Sequence, residues 1–134
     1  GTPNRLEYDQ GFFVKNGDGS ADVKPIAHLY KTQVYALARY LGLPEEICTS
    51  KPTTDTYSLP QGQDEFYFAL PYAQMDLALW AHNHSVPAED LAKGLGISPE
   101  QAAFIYRDIE TKRRTTAYLH AKPVLVEAVA ELGG

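Results

Sequence analysis

Five prolines, Pro44, Pro71, Pro87, Pro99 and Pro123, each head a stretch whose apolar residues recur every three or four positions. Proline suits the first turn of a helix, where its missing N–H removes no hydrogen bond and its fixed φ already fits. That punctuation commits most of the chain to helix. Leu29, Tyr30, Val34, Leu37, Ala38 and Leu41 predict a first helix over 29–41, ended by Gly42. Pro44 heads a short helix through Glu45, Glu46 and Ile47. Pro71 opens one over 71–83, with Tyr72, Met75, Leu79 and Trp80 as its apolar stripe, and Pro87 opens one over 87–94. Ser98-Pro99-Glu100-Gln101 joins an N-cap, a first-turn proline and a glutamine three residues after the cap. The helix starting there is expected to run to Leu119. A last helix is expected from Pro123 to Leu132, stopped by Gly133-Gly134.

The first 27 residues differ in character. Gly11, Gly17 and Gly19 punctuate a polar segment in which Gly11-Phe12-Phe13-Val14-Lys15 reads as a short strand or an extended loop. Residues 49–64 read as a second long loop, and a loop of that length in a compact domain is usually functional. Opening at Gly1-Thr2, with no methionine and no polar lead-in, the chain is expected to be a piece of a longer protein.

Composition narrows the class. With 134 residues, 44% apolar and 22% charged, the chain can bury a core. No run of apolar residues is long enough to span a bilayer as a helix, and Gly1–Gln10 has no secretory-signal pattern. The single cysteine, Cys48, excludes an internal disulfide and multi-cysteine metal sites, and a reducing cytoplasmic setting is the simplest fit. A net charge of −5 disfavours general polyanion binding. Lys112, Arg113 and Arg114, with Arg107 upstream, form the local exception: a solvated helix face, or a meeting point for a small phosphorylated ligand.

Three groups bear on chemistry. Thr2, Glu7, Lys15, Asp18, Asp22 and Lys31 lie among glycines; lysines hold phosphates and carboxylates hold Mg²⁺, but polar loops share this composition. A calcium loop from Asn16 fails, because its sixth and twelfth places hold Ala21 and Ala27. Asp90 to Ile105 carries helix-turn-helix spacing, with Ala92 in a first helix, Gly96 in the turn, and Ala102 and Ile105 on the inner face of a second helix. That makes a DNA-binding module over 87–114 a rival reading, opposed by Glu89, Asp90, Glu100 and Asp108. Pro52-Thr53-Thr54-Asp55 either hydrogen-bonds a nucleotide or caps a turn. His28, His82, His84 and His120 show no metal-ligand spacing.

Taken in order, these segments resemble a known family. Gly1-Thr2-Pro3-Asn4-Arg5-Leu6-Glu7 is similar to the Gly-Thr-x-x-x-x-Glu motif of the NAD synthetases. Gly11 to Asp22, Pro25, Leu29 to Val34, Pro52-Thr53-Thr54-Asp55 and Lys112-Arg113 follow in the family's order, over essentially the whole chain. The resemblance implies the mainly helical C-terminal portion of an α/β fold, adenine nucleotide alpha hydrolase-like, with the parallel sheet largely missing from this chain. On that reading 1–134 is one portion of the synthetase domain, with 1–27 facing ligand and 28–134 forming a helical body.

The activity implied is ATP-dependent amide formation. The nicotinate carboxylate of deamido-NAD takes AMP from ATP, pyrophosphate leaves, and ammonia displaces AMP to give NAD. By resemblance Thr2, Lys31 and Thr53 bind ATP, Glu7 holds Mg²⁺, and Lys15, Asp22, Thr111 and Lys112 bind deamido-NAD. A homodimer in the cytoplasm is implied, with neither nucleic acid nor membrane as partner. The sequence departs from the family pattern at Pro3, at Asn16 where relatives carry an aromatic, and at Thr111 where they carry a histidine. The family's pyrophosphate loop, Ser-Gly-Gly-x-Asp-Ser, occurs nowhere in the chain. The chain alone is therefore expected to be inactive, and a non-catalytic interaction remnant is a third reading.

Overall fold

The computed structural model describes residues 1–51, 70–127 and 129. Seven α-helices lie among them: α1 (Arg5–Gln10), α2 (Lys31–Tyr40), α3 (Glu45–Thr49), α4 (Tyr72–Asn83), α5 (Ala88–Leu95), α6 (Pro99–Thr115) and α7 (Ala117–His120), with one 3₁₀ turn at Asp18–Ser20. No strand occurs among the described residues. None of their helices is long and apolar enough to cross a membrane.

The core is where α4, α5 and α6 meet. Met75, Ala78 and Leu79 of α4 pack with Leu91 and Ala92 of α5 and with Ala102, Ile105 and Ile109 of α6, while Leu6 seals the cluster from α1. The positions expected to face inward from the second helix of the α5–α6 hairpin, Ala102 and Ile105, are buried, and so is Ala92 of the first. Gly96 closes α5 in the left-handed conformation, and Ser98 caps α6 by accepting the Gln101 N–H while Gln101 returns a side-chain acceptor to the Ser98 N–H.

Three expectations are corrected and one, that for Gly11–Lys15, is narrowed to its loop alternative. Residues 1–27 hold a helix, α1, instead of only loop or strand. Asn4 accepts the N–H groups of Leu6 and Glu7, and Glu7 accepts the Asn4 N–H, a complete capping box. Gly11–Lys15 forms no strand; Val14 and Asp18 instead close a tight turn through the Val14 N–H and the Asp18 carboxylate. The long helix from Pro99 ends at Thr115 rather than Leu119, because the hydroxyls of Thr115 and Thr116 bond back to the carbonyls of Thr111 and Lys112 and bend the chain there. The helix expected over 123–132 is absent from its described part: 123–127 and 129 are not helical. Val124 and Val126 are fully open to solvent, and a short valine-rich segment with nothing to pack on does not hold a helix.

The stripe expected on α2 forms but is not covered within the described chain: no α2 residue is buried, and Leu37 and Leu41 are 39% and 64% exposed. Trp80 is also largely exposed, so α4 buries Met75 and Leu79 but not the whole predicted stripe.

Candidate functional site

The first polar constellation sits where α1, α2 and α4 converge. The Asn4 cap holds α1 so that Glu7 occupies its first turn, with one oxygen committed to the Asn4 N–H. The other oxygen lies 3.8 Å from the Lys31 ammonium, and both side chains are mostly covered, 12% and 16% exposed. Lys31 also sits 5.5 Å and 5.7 Å from the ring centres of Tyr72 and Tyr35, within cation–π range. Its backbone is fixed by a residue the sequence did not single out. Asp76, buried on α4, accepts the N–H groups of Lys31 and Thr32 at 3.3 and 2.7 Å and the Thr32 hydroxyl at 2.7 Å. Burial pushes the Asp76 carboxyl above its ordinary range, against the pull of those hydrogen bonds. A lone carboxylate beside Met75 and Leu79 on an apolar helix face was the available signal.

Tyr35 and Tyr72 carry this site into a cavity of about 510 Å³, lined also by Thr32, Arg39, Cys48, Thr49, Ser50, Lys51 and Pro71. Thr53 lies outside the described residues. Thr2 is exposed just ahead of α1. Gly1 beside it passes so close to the Asp18 carbonyl and to Ala21 that a Cβ would overlap them, which is a steric reason for glycine at that place.

A second cavity, about 310 Å³, holds Lys15. The Lys15 ammonium donates to the Tyr118 carbonyl at 2.6 Å, and Tyr8, Phe13, Lys24, His120 and Lys122 line the same hollow. Asp22 is exposed nearby in sequence. Thr111 and Lys112 line neither cavity. Thr111 is exposed on α6, and the Lys112 ammonium is 2.6 Å from Asp108 one turn back. Arg113 is also engaged: it makes a forked pair with Asp9 at 2.5 and 2.8 Å and reaches Asn83. The bond to Asp9 is the main influence holding Arg113 more firmly protonated. The basic triplet of the sequence is therefore two internal pairs and one exposed Arg114.

Among the described residues no group of three or more His, Cys, Asp or Glu side chains is disposed to hold a metal ion. Glu7 is a single carboxylate here, with its oxygens facing the Asn4 N–H and the Lys31 ammonium, and Mg²⁺ commonly takes one or two carboxylates and completes its shell with water and phosphate.

These features define a helical unit presenting a lysine–carboxylate pair and a lysine-lined aromatic hollow. A family model described as NAD synthase matches residues 1–118, and the chain belongs to that family. It is 60% identical over 98% of its length to the NH(3)-dependent NAD(+) synthetase of Rhizobium meliloti (strain 1021), and 37% identical over 85% to that of Thermococcus kodakarensis. It spans only about 40% and 46% of those relatives. The structure of NMN synthetase from Francisella tularensis superposes with a TM-score of 0.64 at 22% identity, covering 92% of this chain and 44% of that one, a likeness of fold.

Proposed function

We propose that this chain is the C-terminal portion of an ammonia-dependent NAD synthetase and supplies one side of its ATP and deamido-NAD sites. The single observation that carries the reading is the Glu7–Lys31 pair, a carboxylate and an ammonium 3.8 Å apart and mostly shielded from water, within the segment matching the family. The printed names of the relatives support ammonia as the nitrogen donor. The open apolar face of α2, with Leu37 and Leu41, supports further polypeptide covering it in the complete protein.

The chemistry is the activation of a poor electrophile. A nicotinate carboxylate oxygen attacks the α-phosphorus of ATP, pyrophosphate leaves, and ammonia adds to the resulting acyl adenylate and expels AMP. A bound Mg²⁺, held in part by Glu7, would supply charge neutralisation to the phosphates. Lys31 neutralises charge developing on the triphosphate. Thr2 and Thr53 hydrogen-bond ATP, and Lys15 and Asp22 contact the dinucleotide. Thr111 and Lys112 reach the dinucleotide only if the Lys112–Asp108 pair opens on binding. Lacking a pyrophosphate loop of its own, the chain by itself makes no NAD.

Titration calorimetry on the chain tests this reading. Binding of ATP–Mg²⁺ at millimolar strength or weaker is expected, whereas tight binding of duplex DNA with a steep salt dependence would overturn it in favour of the α5–α6 hairpin as a DNA-binding element.

A further inference from the structure

Helix α1 carries Glu7 on only six residues, too few to hold an orientation without outside contacts. Its N-terminal end is tied to the chain before α2, where the Arg5 N–H donates to the Leu29 carbonyl at 2.8 Å. Leu6 is fully buried in the core, but apolar contact is non-directional and resists rolling about the helix axis only weakly. At the other end Asp9 supplies a directional tie. The Arg113 guanidinium donates to both Asp9 oxygens, from Nε at 2.5 Å and from Nη2 at 2.8 Å. A forked pair fixes angle as well as distance. Glu7 and Asp9, two residues apart, stand about 200° apart around the axis, so a roll that moves Glu7 off Lys31 must break the fork.

The far side of Arg113 is anchored as well. Its Nη2 donates to Asn83 Oδ1 at 2.5 Å, and its Nη1 lies 3.4 Å from Nδ1 of His82, both on α4. Asp76, about two turns earlier on that helix, holds the Lys31 backbone. Both members of the Glu7–Lys31 pair are thus referenced to α4, Lys31 through Asp76 and Glu7 through Asp9, Arg113 and Asn83. Arg5 also approaches Asp9, at 3.4 Å, but it belongs to α1 and moves with it.

We propose that Arg113 is a positioning residue for the ATP–Mg²⁺ site: its fork to Asp9 sets the roll of α1 and so the place of the Glu7 carboxylate. Arg113 lines neither cavity, and it acts through Asp9 rather than on the nucleotide. This rests on the reading of Glu7 and Lys31 as part of that site.

The test uses the full-length protein that carries this chain, with Arg113→Lys, Asp9→Asn, Glu7→Ala and the double variant Glu7→Ala/Arg113→Lys, and circular dichroism to check folding. Ile105→Val, a core change on the same helix α6, controls for lost stability alone. Arg113→Lys keeps the charge and loses the fork, so turnover should fall about tenfold to a hundredfold, the scale of a small misplacement at a reacting centre. The Mg²⁺ concentration giving half-maximal turnover should rise at least about threefold, while KM for deamido-NAD stays within about twofold. Calorimetry reads the same change without turnover: Mg²⁺ should strengthen ATP binding less in Arg113→Lys than in the parent. Asp9→Asn should follow Arg113→Lys, and Ile105→Val should change neither measurement. Added to Glu7→Ala, Arg113→Lys should alter turnover and ATP binding by less than about twofold, since both act through one carboxylate. If Glu7→Ala impairs turnover while Arg113→Lys behaves as Ile105→Val does, or if the two losses multiply in the double variant, the positioning role is wrong and the ATP-site reading stands. A change confined to KM for deamido-NAD would also overturn it, placing the effect at the neighbouring Lys112. If Glu7→Ala leaves turnover and Mg²⁺ dependence unchanged, both fall.

Discussion

Asp76 accepts both the backbone N–H and the hydroxyl of Thr32 at 2.7 Å, from a helix 44 residues further along the chain. The first turn of α2 is thus capped by a side chain of α4 as well as by its own Gln33, whose side chain accepts the Tyr30 N–H, and a carboxylate sits at the positive end of the helix dipole. Lys31, next to Thr32, inherits its position opposite Glu7 from that cap. The site and the core are therefore coupled through one buried carboxylate.

Asp76→Ala should cost about 1–3 kcal/mol of stability, because it strands donors at the start of α2 inside a partly buried setting. Urea unfolding of the chain measures it, and a cost no larger than that of an exposed substitution would show that the cap is dispensable.

The same residue sets a pH dependence. The folded Asp76 carboxyl keeps its proton to a higher pH than the ordinary 3.8, so between these values the folded state binds more protons than the unfolded one. Stability from this group therefore rises as pH falls through the folded value toward 3.8, the reverse of a salt-bridged aspartate. Asp76→Asn cannot titrate. Melting temperatures across acidic pH should show the parent chain gaining on Asp76→Asn as pH is lowered, and a gap that moves the other way would contradict the burial effect.

Arg113→Ala should destabilise by about 1–3 kcal/mol, since the Asp9 side chain is only 8% exposed and would keep Arg5 alone, at 3.4 Å, as its partner. Arg113→Lys should recover only part of this, because an ammonium cannot make the forked pair. Denaturant midpoints of the two variants check the order, and equal stability of both with the parent would sink it.

Gly11 has φ of +77°, and a Cβ there would overlap the Thr116 side chain. Gly11→Ala should therefore cost more than the roughly 1 kcal/mol of left-handed strain alone. Thr116→Gly in the same chain should relieve the overlap, because the Thr116 Cβ is itself the nearest atom met, and leave the strain, which thermal melts of the single and double variants resolve.

How much of this was legible in the sequence follows from where each signal lives. Helices headed by Pro71, Pro87 and Pro99 were readable because start signals and periodicity are local and agree, and their cores pack as the spacing requires. Helix α1 was signalled by Asn4 and Glu7, but six residues give no periodicity to notice beside the glycines that follow. The C-terminal segment was misread because proline and periodicity promise a helix only where something covers its apolar face. For the site, the sequence singled out Glu7 and Lys31, which the fold brings within 3.8 Å of one another, whereas Lys112 is turned to Asp108, a contact that composition could not reveal. Lys24 and His120 meet their neighbours through tertiary proximity, which no local pattern marks, whereas Asp76 stands out in the sequence only as a lone carboxylate on an apolar helix face.

The central claim is that Glu7 and Lys31 belong to the ATP site of a synthetase, and the rate of NAD formation tests it most directly. In the full-length protein that carries this chain, supplied with deamido-NAD, ATP–Mg²⁺ and ammonia, Glu7→Ala and Lys31→Ala should each lower turnover by about a hundredfold or more with folding intact, the scale lost when a charge-stabilising group is removed from a reacting centre. Turnover by either variant within about threefold of the parent, a change of less than 1 kcal/mol in the barrier, would contradict it.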